Sequence, residues 1–118
     1  MALVLCTGTD DSLIASRKLI LERAGHKVVT ATEEREVITA CAANRFDVAV
    51  IGQTVSPNQK RRILFLVREH CPPAKVLELF SPHRGKDLGS ADDWLEVPAS
   101  VPSELAERVS AIAGDSSS

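Results

Sequence analysis

The sequence predicts a single α/β domain in which five parallel strands are covered by helices on both faces. Three observations predict it. Five short runs rich in Val, Ile and Leu are continuous rather than alternating, as strands buried on both faces are. Segments with the helical 3.6-residue period separate these runs. The 118 residues, 44% of them hydrophobic, are enough for one core, and no repeat, linker or second domain interrupts them.

Ala2 to Cys6 supplies the first strand. Asp11 to Ala24 reads as a helix, because Leu13, Ile14, Ile20, Leu21 and Ala24 share an arc of about 120°. Arg17 falls inside that apolar stripe and must snorkel or find a partner. Gly25 suits the left-handed stop, and Lys27 to Ala31 is the second strand. Thr32, followed by Glu33 and Glu34, reads as an N-cap with acids in the first turn. Val37, Ile38 and Cys41 then form the buried side of a second helix. Asp47 to Ile51 is the third strand. Pro57 precedes a third helix, about Asn58 to His70, with Ile63, Leu66 and Val67 inward. Lys75 to Phe80 and Asp93 to Val97 complete the sheet. Pro102 suits the first turn of a last helix that buries Leu105, Val109 and Ile112. The domain is expected to span residues 1–113, with residues 114–118 a disordered tail. Right-handed crossovers and a flavodoxin-like strand order, 2-1-3-4-5, are the simplest arrangement. Such a fold places its ligand or reaction centre at the carboxyl ends of strands 1, 3 and 4.

Composition narrows function. A net charge of −2 provides no general attraction to nucleic acid or to an anionic membrane, and 3% aromatic residues leave no base-stacking platform. No apolar run approaches the ~20 residues that span a bilayer. The amino-terminal residues carry no leader pattern, so a cytoplasmic location is the default expectation. Cys6, Cys41 and Cys71, odd in number and scattered, are expected to be reduced thiols, with Cys71 beside Pro72 and Pro73 the most exposed. Lys60, Arg61, Arg62 and Arg68 read as a solvated face of the third helix. Asp10 and Asp11 sit where acids cap a helix.

The stretch Ser90-Ala-Asp-Asp-Trp-Leu-Glu-Val-Pro98 resembles the G-A-D-D-Y-L-x-K-P signature of response-regulator receiver domains (CheY-like). Arg45-Phe-Asp-Val-Ala-Val-Ile51 resembles the x-Y-D-L-V-I-L run that leads into their phosphoacceptor. Ala24-Gly25-His26-Lys-Val-Val-Thr-Ala31 resembles E-G-Y-E-V-V-T-A, so the likeness spans Leu3 to about Ile112. The resemblance implies two acids after strand 1 and one on strand 3 that hold Mg²⁺, the last being the nucleophile. It also implies a hydroxyl after strand 4 and a lysine after strand 5. Here Gly8 and Thr9 stand where the acid pair belongs, with Asp10 following, and either Gly52 or Gln53 stands at the phosphoacceptor, depending on where the count starts. Ser81 keeps the hydroxyl and Val97 replaces the lysine. The expectation is a pseudo-receiver without enzymatic activity, metal or other cofactor.

Trp94 matches the aromatic switch position of receivers, where it serves either as an interface anchor or as packing. The segment from Ser81 to Val97 is too short for a full fourth helix, and the two glycines of 83–89 allow one turn at best. A phosphorylation-independent interaction module follows. Its partner would be a histidine kinase, another receiver or an output domain, with a homodimer possible and no direct contact with nucleic acid or membrane. Two rivals remain. Leu5-Cys-Thr-Gly-Thr-Asp-Asp-Ser12 resembles the outline of phosphotransferase IIB enzymes, which would make Cys6 a phosphorylated nucleophile. Alternatively, the emptied pocket binds a small regulatory ligand through Thr7, Thr9, Gln53 and Ser81.

Overall fold

The computed structural model describes residues 2–98 and 101–114. Five strands, β1 (Leu3–Thr7), β2 (Lys27–Ala31), β3 (Val48–Ile51), β4 (Lys75–Phe80) and β5 (Asp93–Glu96), form one sheet in the order β2-β1-β3-β4-β5. All four pairings are parallel, and Thr7 lies opposite Ile51, so β1 and β3 end level. The helices are α1 (Asp11–Arg23), α2 (Glu34–Ala43), α3 (Pro57–His70) and α4 (Ser103–Ala113).

The sheet divides the core in two. On one face Leu5, Ala49, Ile51 and Val76 meet Val37 of α2 and Leu66 and Val67 of α3. On the other, Val4, Val50, Leu77, Leu79 and Leu95 meet Leu21 of α1 and Leu105 and Val109 of α4. Strand geometry alone produces this, since alternate side chains point to opposite faces. Local signals set the boundaries. Asp10 caps α1 by accepting from the Leu13 N–H at 3.1 Å, and Ser56 caps α3 by accepting from the Gln59 N–H. Gly25 takes φ 96°, which a Cβ would oppose.

Between β4 and β5 there is no helix, in line with the shortened or missing fourth helix expected from the sequence. The segment is not thin cover, however. Leu88 and Ala91 are buried in the α2–α3 face of the core, so β4 is sealed rather than left open.

Several expectations are corrected. The N-cap of α2 is Glu33 rather than Thr32, because Glu36 reaches back to accept from the backbone N–H of both residues and from the Thr32 hydroxyl. Ile38 is exposed, one position off the buried stripe. Gly114 belongs to α4 as its left-handed cap; residues 115–118 of the expected tail lie outside the described residues. Cys41 and Cys71 are joined in a disulfide, and Cys71 is buried. Packing α2 against α3 brings their carboxyl ends to a Cα separation of 5.6 Å, within bridging range, although 30 residues separate the two cysteines in sequence. Lys60 is not solvated at all. Its position on α3 faces β4, and it is 1% exposed.

Candidate functional site

The carboxyl edge of β1 and β3 is where this topology places a functional centre. Gly8 follows β1 and is buried, whereas Thr9 is exposed and shares a hydrogen bond with Thr54 (3.0 Å between hydroxyl oxygens). Thr7 is turned into the sheet and donates to the Val50 carbonyl at 2.8 Å. Asp10 is committed to capping. Gly52 directly follows β3, its N–H donating to the Thr7 carbonyl at 3.1 Å.

The sequence had left open what satisfies Arg17. The structure places this residue, 7% exposed, over the end of β3. Its Nη2 donates to Gln53 Oε1. A Cβ added at Gly52 would stand 3.1 Å from Arg17 Nη1 and 3.2 Å from the Thr7 carbonyl oxygen. The guanidinium therefore packs on the one residue that leaves it room. Burial pulls the Arg17 pKa below its usual value, and the Asp10 charge opposes the shift. Cys6 itself is fully buried, and burial raises its thiol to about 11, so at neutral pH it carries no charge to offer Arg17. The same burial removes the thiolate that a phosphotransferase nucleophile needs. Cys6 shares the face of Val4, towards α1, and does not point up at the loop.

This donor set does not fit a hard divalent cation. Such an ion takes several oxygen ligands, chiefly carboxylates. Here the two positions after β3 are Gly52 and Gln53, the nearest acid caps a helix, and a fixed positive charge lies on Gly52. Among the described residues no group of three or more His, Cys, Asp or Glu side chains is placed to hold a metal.

Ser81 opens the turn after β4, its carbonyl accepting from the N–H groups of Arg84 and Gly85. Arg84, which sequence reasoning missed, reaches across to the carbonyls of Gln53 (3.2 Å) and Val55 (3.4 Å), tying the loop after β4 to the loop after β3. Val97 is buried on the α1–α4 side, where it and Gln53 line a common cavity of about 260 Å³. Gly8 and Thr9 border a different one, about 250 Å³, between α2 and α3. Of the residues predicted to share one pocket, Gly8 and Thr9 line one cavity, Gln53 and Val97 another, and Asp10, Gly52 and Ser81 line neither.

The second network missed from sequence lies beneath the β4–β5 segment. Glu78, 0% exposed in the middle of β4, accepts from Lys60 Nζ at 2.7 Å and from the backbone N–H groups of Asp87 (2.8 Å) and Leu88 (2.9 Å). Lys60 Nζ also donates to the Leu79 carbonyl at 3.1 Å and lies 3.3 Å from Asp87 Oδ2. The lone acid in Lys-Val-Leu-Glu-Leu-Phe was the available signal, since a charge inside an otherwise apolar strand demands a partner. Trp94 is half-buried; its Nε1 donates to the Leu88 carbonyl at 2.9 Å and Lys86 Nζ lies 5.0 Å from the ring centre. Arg108 Nη1 donates to the Trp94 carbonyl at 2.6 Å, fixing β5 to α4.

Solved structures share this architecture over nearly its whole length. A Francisella response-regulator receiver domain superposes with a TM-score of 0.78 at 23% identity, covering 98% of this chain and 99% of its own. A Thermotoga maritima response regulator gives 0.76 at 25% identity over 95% and 97%. The fold is that of a response-regulator receiver domain. A third receiver fold, matched at a TM-score of 0.77 and 18% identity over 95% and 98%, comes from a complex of the histidine kinase ThkA with the response regulator TrrA. No family model and no curated protein sequence matches the chain. Within the receiver fold, no described helix is long and apolar enough to cross a membrane.

Proposed function

We propose that this chain is a receiver-type module of two-component signalling that works by docking to a protein, without phosphoryl transfer and without enzymatic activity. The observation that carries the reading is the Arg17 guanidinium packed on Gly52 and bonded to Gln53, where a receiver needs an ionised acid. Neither glycine nor an amide can form an acyl phosphate. With no phosphoryl group to draw Ser81, Trp94 keeps one position, held by Leu88 and Lys86. A histidine kinase, another receiver or an output domain is the natural class of partner. The regulator TrrA, of the same fold, is found in complex with a kinase. The remodelled β4–β5 segment gives the docking face a shape unlike that of a receiver with a full fourth helix.

The test is direct. Acetyl phosphate, or beryllofluoride with Mg²⁺, should leave the amide NMR spectrum and the sedimentation behaviour of the chain unchanged. A hydroxylamine-labile phosphate adduct detected by intact mass would overturn the reading.

A further inference from the structure

Buried charges in proteins are paired or hydrogen-bonded to several groups. Arg17 meets that condition poorly. Of its five N–H donors, the only hydrogen bond formed with the described residues goes to the neutral Gln53 Oε1, and no described carboxylate forms an ion pair with it. Because Oε1 accepts from Arg17, the Nε2 of the same amide is left as a donor. Both side chains line the cavity of about 260 Å³ between α1 and α4. The remaining wall is largely apolar, with Leu13, Ile20, Leu79, Leu95 and Leu105 around it. One end of the space is therefore cationic and donor-rich, and the rest is greasy.

We propose that this cavity binds a small monocarboxylic acid with an apolar tail. The carboxylate accepts from Arg17 and from Gln53 Nε2, and the tail lies against Leu79, Leu95 and Leu105. Size supports this class, since a cavity of roughly 150 Å³ holds benzene, so 260 Å³ holds on the order of ten non-hydrogen atoms. Charge supports it as well. A phosphate would bring nearly two negative charges to a site whose lining contains one guanidinium and no lysine. A monoanion completes the ionic requirement of Arg17, and a planar carboxylate matches the fork of its donors. The assignment goes beyond the docking reading and stands whether or not that reading holds.

Titration of the isotope-labelled chain with hexanoate and with benzoate, followed by amide NMR, tests the proposal. Saturable binding with a dissociation constant on the order of 0.1–1 mM is expected for ligands of this size. The shifts should centre on α1, the end of β5 and α4. Hexanamide and inorganic phosphate should bind at least about tenfold more weakly, because each loses one half of the recognition. Arg17→Met should lose binding by a similar factor. Gln53→Glu supplies an internal carboxylate to Arg17 and should abolish binding in a folded chain, which keeps the test decisive if the first variant folds poorly. No saturation by either acid up to about 20 mM, a range covering even inefficient ligands, would overturn the proposal. So would equal binding of hexanamide, equal binding of phosphate, or undiminished binding to Gln53→Glu.

Discussion

Two cations are buried on opposite faces of the same sheet, and the protein treats them differently. Lys60, on the α2–α3 face, is met by two carboxylates and a carbonyl at 2.7–3.3 Å. Arg17, on the α1–α4 face, meets one neutral amide. The first arrangement pairs charge with charge: Glu78 also accepts from the N–H groups of Asp87 and Leu88, so the ion pair fixes the loop that stands in for a helix, although Asp87 Oδ2 is buried without a hydrogen bond of its own. The second is open towards a cavity. Burial alone therefore does not tell a structural charge from one available for binding; what distinguishes them here is whether a carboxylate already contacts the cation.

The largest effect that could break this comparison is expected at Glu78. Glu78→Leu takes from the buried ammonium its closest carboxylate, leaving it Asp87 and the Leu79 carbonyl, and strands two loop N–H groups, a loss of about 3–5 kcal/mol for breaking a buried pair. Removing Arg17 as Arg17→Met deletes a charge without stranding one, so the change should stay within about 1 kcal/mol of zero. Urea unfolding of both variants, with the Lys60→Met/Glu78→Leu double variant recovering much of the loss, measures the contrast. Similar losses at Glu78 and Arg17 would erase the distinction.

What the sequence made legible follows the same division. Continuous apolar runs and helical stripes are local, and from them the five strands were readable; the strand order followed from the crossover rule and the absent helix from the shortness of the segment between β4 and β5. Gly52, Gln53 and Val97 were picked out by the receiver resemblance, which left Gly52 and Gln53 as alternatives; Gly52 and Val97 directly follow β3 and β5. Partnerships across the sheet were not readable. Lys60 sits in a run of basic residues that looks solvated, and only the three-dimensional register of α3 on β4 turns it inward. Arg17 was visible as an anomaly in an apolar stripe, but its contact with Gly52 depends on where α1 lies over β3. The Cys41–Cys71 bridge likewise arises from helix packing, which no spacing rule encodes.

That bridge sharpens the comparison, because it staples the same face that Lys60 holds. Closing a loop of 30 residues is worth about 3–4 kcal/mol in the chain-entropy model. Treatment with a phosphine reductant, or the Cys41→Ala/Cys71→Ala variant, should lower the free energy of unfolding by about that amount. Thiol counting in denaturant should find one free thiol before reduction and three after, Cys6 being the first. Three free thiols in the untreated protein would mean that packing alone holds α2 to α3.

The smallest effect is expected on the Arg17 face, at a group that stays neutral. His26 is buried where α1 turns into β2. Its Nδ1 accepts from the Ala2 N–H at 3.0 Å and its Nε2 lies 3.0 Å from the Ser110 hydroxyl of α4. Nδ1 can accept only when unprotonated, so the neutral ring carries its proton on Nε2. Burial holds its pKa below the ordinary 6.5. The unfolded chain therefore binds more protons than the folded chain at pH values between the folded pKa and 6.5, and stability must rise with pH across that window. The contribution is complete above 6.5 and is lost as pH falls towards the folded value. His26→Asn keeps an acceptor for the Ala2 N–H but cannot titrate, so comparing urea midpoints at pH 7.5 and 5.5 should show a smaller drop in the variant than in the parent. An equal drop in both would assign the acid sensitivity to other groups and leave His26 as packing between α1, β2 and α4.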